Sequence, residues 1–199
     1  MSSRADSATT PTRPATPSPP PVLGSFTLRD LVLMALVAAL VAVGTIMVHI
    51  PMHVPGKSGV VWIALLVVGR GLVDKRGAGL LMGIVAGVLV TFAGLGSESL
   101  LTWTKFAAAG LALDAATWAV GGDLTRLWAA ALAGAAAHLA KLVMMTLVGL
   151  LLGLPLTVVA VGLGLTATTH ALFGAIGGVL GALVLRALKK VPEIGGRSS

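Results

Sequence analysis

Six long apolar runs, separated by short breaks of Gly, Pro and charge, leave this chain few ways to fold. They cover about residues 28–50, 59–73, 77–94, 99–120, 124–153 and 156–188. A helix needs about 20 apolar residues to cross the ~30 Å hydrocarbon core of a bilayer, and most of these runs reach that length. A soluble domain carries roughly a quarter charged residues; this chain carries 11% charged and 56% hydrophobic. One protein core cannot hide so much apolar surface, so lipid has to solvate the rest. Abundant Gly and Ala with no Tyr favours closely packed helices over a barrel with aromatic girdles. The expected fold is therefore an all-α membrane protein, a compact bundle of about six transmembrane helices spanning residues 25–190. Residues 1–24 are rich in Ser, Thr, Ala and Pro and contain no apolar core of a signal peptide, so they read as a disordered cytoplasmic tail. Residues 191–199 form a polar C-terminal tail.

The charges set the expected orientation. The net charge is +7, yet the basic residues stand at the ends of apolar runs rather than along one tract, which argues against nucleic acid. With the N-terminus in the cytoplasm, six spans place Arg4, Arg13, Arg29, Arg70, Lys75, Arg76, Arg126, Arg186, Lys189, Lys190 and Arg197 inside, and only Lys57 in an outer loop. Both termini are then cytoplasmic. Trp62 and Trp103 fall near the outer interface and Trp118 and Trp128 near the inner one, the pattern of an aromatic belt. The sixth run is long enough to tilt, or to break near Gly162-Leu163-Gly164.

Small residues recur every four positions: Ala35 and Ala39; Gly79, Gly83 and Gly87; Ala108, Ala112 and Ala116; Gly174, Gly178 and Ala182. Such ridges allow close helix contact, either inside the bundle or against a partner membrane protein. The chain shows no internal repeat of the kind that builds inverted-repeat transporters.

Ionisable groups inside apolar runs cost several kcal/mol unless paired or hydrated, and so mark candidate sites. Lys105, Asp114, His138, Lys141 and His170 qualify. His138 and Lys141, three apart, share a helix face. Lys141 is too deep to reach water cheaply, whereas Lys105 either reaches outward or binds substrate. Asp114 pairs with a lysine or bonds a backbone group. The first loop, His49-Ile50-Pro51-Met52-His53-Val54-Pro55-Gly56-Lys57-Ser58-Gly59, is an ordered turn rather than a plain hairpin. Its two histidines without carboxylate or thiolate are a poor metal site, and no resident metal or cofactor is expected. Its Pro-Gly-Lys-Ser lacks the first Gly and the preceding strand of a phosphate loop. There is no cysteine, no His-Glu-x-x-His, no Gly-x-Ser-x-Gly, and only 7 carboxylates, so an enzyme is not expected.

Several stretches resemble the substrate-binding S components of energy-coupling factor (ECF) vitamin transporters. Ala35-Leu36-Val37-Ala38-Ala39 matches that family's Ala-x-x-x-Ala docking motif, and residues 49–59 stand where the family places a lid. Val67-Val68-Gly69-Arg70 and Gly77-Ala78-Gly79-Leu80-Leu81-Met82-Gly83 resemble its second and third helices, and the similarity covers about residues 25–190. The resemblance implies a multi-pass protein of a prokaryotic plasma membrane. It would capture a small water-soluble vitamin or precursor, anionic or heterocyclic, from outside. A transmembrane T component and two ATPase subunits would energise delivery, with Ala35 and Ala39 as the docking face. The pocket would draw on His49, His53, Lys57, Trp103, Lys105, His138, Lys141 and His170, with Trp103 stacking on a ligand ring. The alternatives are a metal-ion uptake subunit or a small stand-alone secondary transporter or channel. The N-terminal Met-His motif of the metal subunits is missing, since the chain begins Met1-Ser2-Ser3.

Overall fold

The computed structural model describes residues 25–47, 56–93, 101–153 and 155–191. The described residues form six helices: α1 Leu28–Met47, α2 Gly59–Leu72, α3 Ala78–Phe92, α4 Thr102–Ala119, α5 Leu127–Leu151 and α6 Leu156–Lys189. This is the all-α, six-helix architecture that the apolar runs imply, and α6 is continuous through Gly162-Leu163-Gly164. Three helical stretches, Leu28–Thr45, Leu127–Leu151 and Leu163–Lys189, are long and apolar enough to cross a membrane. α2 and α3, with 14 and 15 residues, are shorter. At 1.5 Å per residue they rise only about 21–23 Å.

Helix α2 is the hub. Among the described residues it alone touches all five other helices, while α3, α4, α5 and α6 follow one another around it. α1 lies outside this ring against α2 and α3. Its inner face carries Met34, Val37, Ala38, Val41 and Ala42, all buried. The core continues through Trp62, Ile63, Leu66 and Val67 of α2, Met82 of α3, Leu113 of α4 and Leu185 of α6.

Glycine explains the two closest helix pairs. A Cβ on Gly79 would sit 2.7 Å from the Gly110 carbonyl oxygen, and one on Gly87 would sit 2.7 Å from that of Trp103. One on Gly83 would collide with the Phe106 carbonyl. The α3 ridge therefore seats on the Trp103–Phe106–Gly110 line of α4 and not on the Ala108–Ala112–Ala116 stripe, which is only half-buried. α5 and α6 meet in the same way, Gly134 against the Gly174 carbonyl and Gly178 against the Ala130 carbonyl.

One end of the bundle gathers the charges. Thr27 and Asp30 cap α1 reciprocally: the Thr27 amide donates to Asp30 Oδ2 at 2.8 Å and the Asp30 amide to Thr27 Oγ1 at 3.3 Å. Lys75, in the α2–α3 turn, donates to the same Asp30 oxygen at 2.6 Å. In the α4–α5 turn the hydroxyl and amide of Thr125 donate to Asp123, which holds that carboxyl below the usual carboxylate range. Arg186 Nε, near the end of α6, donates to the Thr125 carbonyl at 2.7 Å. The start of α1 is thereby tied to the α2–α3 turn, and the α4–α5 turn to the end of α6.

Candidate functional site

Two polar constellations lie inside the bundle. The first joins α2, α3 and α4 at the charged end. Arg70 Nε donates to Asp114 Oδ1 at 2.7 Å, and Arg70 Nη1 donates to the Val73 carbonyl at 3.1 Å and to Asp74 at 3.2 Å. Asp114 also accepts the amides of Gly79 at 3.2 Å and Leu80 at 2.9 Å, the unsatisfied first turn of α3. Its expected backbone partner is therefore present, but the cation beside it is an arginine, not a lysine. Arg70 is 5% exposed, so it is a buried member of this clamp rather than an interfacial topology signal. A cleft of about 770 Å³ opens here between Arg70, Asp74, Arg76, Leu111, Asp114 and Trp118. Its two arginines face two aspartates, so the cleft itself supplies the counter-charges that a ligand would otherwise bring.

The second constellation lies toward the other end, where α2, α4, α5 and α6 converge. Trp62 and Phe106 meet edge to face, centroids 5.6 Å apart, and Trp62 meets His138 in the same manner at 5.3 Å. His138 and His170 pack with ring centroids 4.5 Å apart. His138 Nδ1–H donates to the His170 carbonyl at 3.0 Å and His170 Nδ1–H to the Thr166 carbonyl at 2.8 Å. A carbonyl only accepts, so Nδ1 carries the proton in both rings, and Nε2 of each neutral ring is left as an acceptor. The Lys141 ammonium lies 4.7 Å from the Trp62 ring centroid and 5.0 Å from that of Phe106. Those two π-faces are its contacts among the described residues; it has no hydrogen bond or ion pair there. Lys105 is buried on α4, near enough for its charge to repel that of Lys141.

Local sequence builds this cluster through two glycines. A Cβ on Gly59 would overlap the His138 ring, and one on Gly56 would stand 2.9 Å from His170 Nδ1. Gly56 also has φ 83°, a left-handed conformation that favours glycine. The described end of the first loop, Gly56-Lys57-Ser58, thus closes over the histidine pair.

Trp62 Nε1 is the one buried side-chain nitrogen or oxygen among the described residues without a hydrogen-bond partner. Leaving such a donor unsatisfied costs about 1–3 kcal/mol, and an open donor beside an unpaired ammonium is what a polar ligand would complete. Among the described residues no three His, Asp or Glu side chains are grouped to hold a metal. The described carboxylates, Asp30, Asp74, Asp114 and Asp123, are engaged at the opposite end.

Of the expected site residues, the structure brings His138, Lys141 and His170 together. It buries Lys105 close by instead of leaving it to reach outward, and it places Lys57 half-buried in the turn before α2. Trp103 is 39% exposed, with its backbone against Gly87, and takes no part in the aromatic cluster. His49 and His53 lie outside the described residues. Sequence reasoning missed Trp62 and Phe106. Trp62 is fully buried at the hub and not at an interfacial belt, whereas Trp118 and Trp128 are exposed as a belt requires. The one available signal was the Gly56–Gly59 turn immediately before Trp62, which lets α2 press against two histidines.

No protein-family model and no curated protein matches this sequence. A solved structure described as the crystal structure of an S-component of ECF transporter matches with a TM-score of 0.64 and 21% identity. The match covers 86% of this chain and 90% of that one. The chain has the fold of an ECF transporter S component.

Proposed function

We propose that this chain is the substrate-binding membrane subunit of an ECF-type importer, capturing a small water-soluble vitamin or precursor from outside. Supporting this reading is the S-component fold combined with a cluster whose polar groups are incomplete among the described residues, at the end away from the arginines. Positive charge marks the cytoplasmic end of a bundle, so the Trp62–His138–Lys141 cluster belongs to the outer half. Delivery then depends on a T component and two ATPase subunits.

The outer face of α1 supplies a docking surface. Val32, Leu36, Leu40 and Val43 are exposed large apolar residues, with Ala35 exposed and Ala39 half-buried among them. Small residues in such a row let a partner helix approach closely. Replacing Ala35 by Leu is expected to leave the isolated bundle unchanged, because that side chain touches no core. Affinity isolation of the tagged chain from its host membranes should recover a T component and an ATPase pair, and A35L should lose them. Recovery of the same subunits with A35L would remove this face from the interface; a chain that alone drives solute uptake into liposomes would overturn the importer-subunit reading.

A further inference from the structure

Resting on the substrate-binding reading, we infer that the solute is a planar organic anion: its carboxylate pairs with Lys141, and its ring packs on the Trp62 and Phe106 faces that the Lys141 ammonium covers. Charge argues first. Lys141 meets only aromatic faces among the described residues, Lys105 repels rather than offsets it, and the described carboxylates are committed elsewhere. Lys141 is half-buried within an apolar run, and a cation there that has no counter-ion among the described residues calls for one from the ligand.

Shape argues second. Two rings inclined at 64° share one ammonium, 4.7 and 5.0 Å from their centroids, so a group that takes its place meets two aromatic faces. Such faces also suit a cation, but a cationic solute would meet the repulsion of Lys141. An anion instead draws Lys141 off the rings and so frees the faces on which its own ring stacks.

Hydrogen bonding argues third. Trp62 Nε1–H offers a donor with no acceptor among the described residues, so the solute carries an acceptor on its ring or carboxylate. The Nε2 atoms of His138 and His170 can accept from a ring N–H or hydroxyl.

A soluble small-molecule extract of the host cells, split by ion exchange into anionic, neutral and cationic fractions, tests this. Purified full-length chain in mild detergent is incubated with each fraction, and retained compounds are identified by mass spectrometry. The expected result is an aromatic compound from the anionic fraction. Its affinity should fall about thirty-fold in Lys141→Gln, as loss of a charged hydrogen bond predicts, and be largely kept in Lys141→Arg. Trp62→Phe removes the unpartnered N–H with part of a fully buried ring, so it should weaken binding and lower the ligand-free melting temperature, and its affinity is read below that transition. Retention from the neutral or cationic fraction, or full affinity in Lys141→Gln, would overturn the anion and leave the substrate-binding reading standing. Retention from no fraction would overturn both.

Discussion

Replacing Asp114 by Ala is expected to lower the stability of the bundle by about 3–5 kcal/mol, the usual cost of stranding one member of a buried ion pair. The change uncouples three helices at once. Arg70 of α2 loses the carboxylate 2.7 Å from its Nε, and the Gly79 and Leu80 amides at the start of α3 lose their acceptor on α4. Little water reaches a guanidinium whose side chain is 6% exposed. Unfolding in mixed detergent micelles would give the magnitude. The pair Arg70→Met with Asp114→Asn leaves no charge behind and keeps an acceptor for α3, so it should recover much of the loss. A loss under about 1 kcal/mol for the single change would mean that water or lipid headgroups already solvate Arg70.

The second large effect is expected at Gly178. An alanine there would drive its Cβ into the Ala130 carbonyl oxygen, which belongs to a helix backbone and cannot turn aside. α5 and α6 must separate or fail to pair, at a cost of about 3 kcal/mol, the upper part of the range for overpacking. Gly164 on the same helix is the control, since nothing lies within 4 Å of a Cβ placed there. Gly164→Ala should be neutral or stabilising by up to about 1 kcal/mol. Equal behaviour of the two variants in the same unfolding assay would contradict the close α5–α6 seat.

These two sites also show what the sequence makes legible. Helix number and approximate limits follow from apolar runs broken by Gly, Pro and charge, because lipid requires each crossing segment to satisfy its own backbone. The glycine row Gly79, Gly83, Gly87 announces a close contact, for only small residues allow it. Its partner line on α4 is not announced, since Trp103 and Phe106 offer backbone carbonyls rather than small side chains. Arg70 and Asp114 each suggest an ordinary role alone; their pairing across 44 positions is a product of helix packing.

The site divides in the same way. His138, Lys141 and His170 stand out because ionisable groups are costly in apolar runs. Trp62 and Phe106 do not, because an aromatic residue in such a run is unremarkable until its neighbours are known. α2 is packed by protein on most sides, so its apolar stripe alone does not show whether Trp62 faces lipid or the interior of the bundle.

The proposed solute pocket is the incomplete cluster around Lys141 and Trp62. The most direct measurement is to purify the chain in mild detergent, denature it, and assay what it releases, by mass spectrometry for small molecules and elemental analysis for metals. One organic compound in near-equal amount with the protein is the predicted result, bearing an acidic group and a ring. A stoichiometric transition metal with no organic solute would contradict the claim and move the site to the histidines of the first loop, His49 and His53.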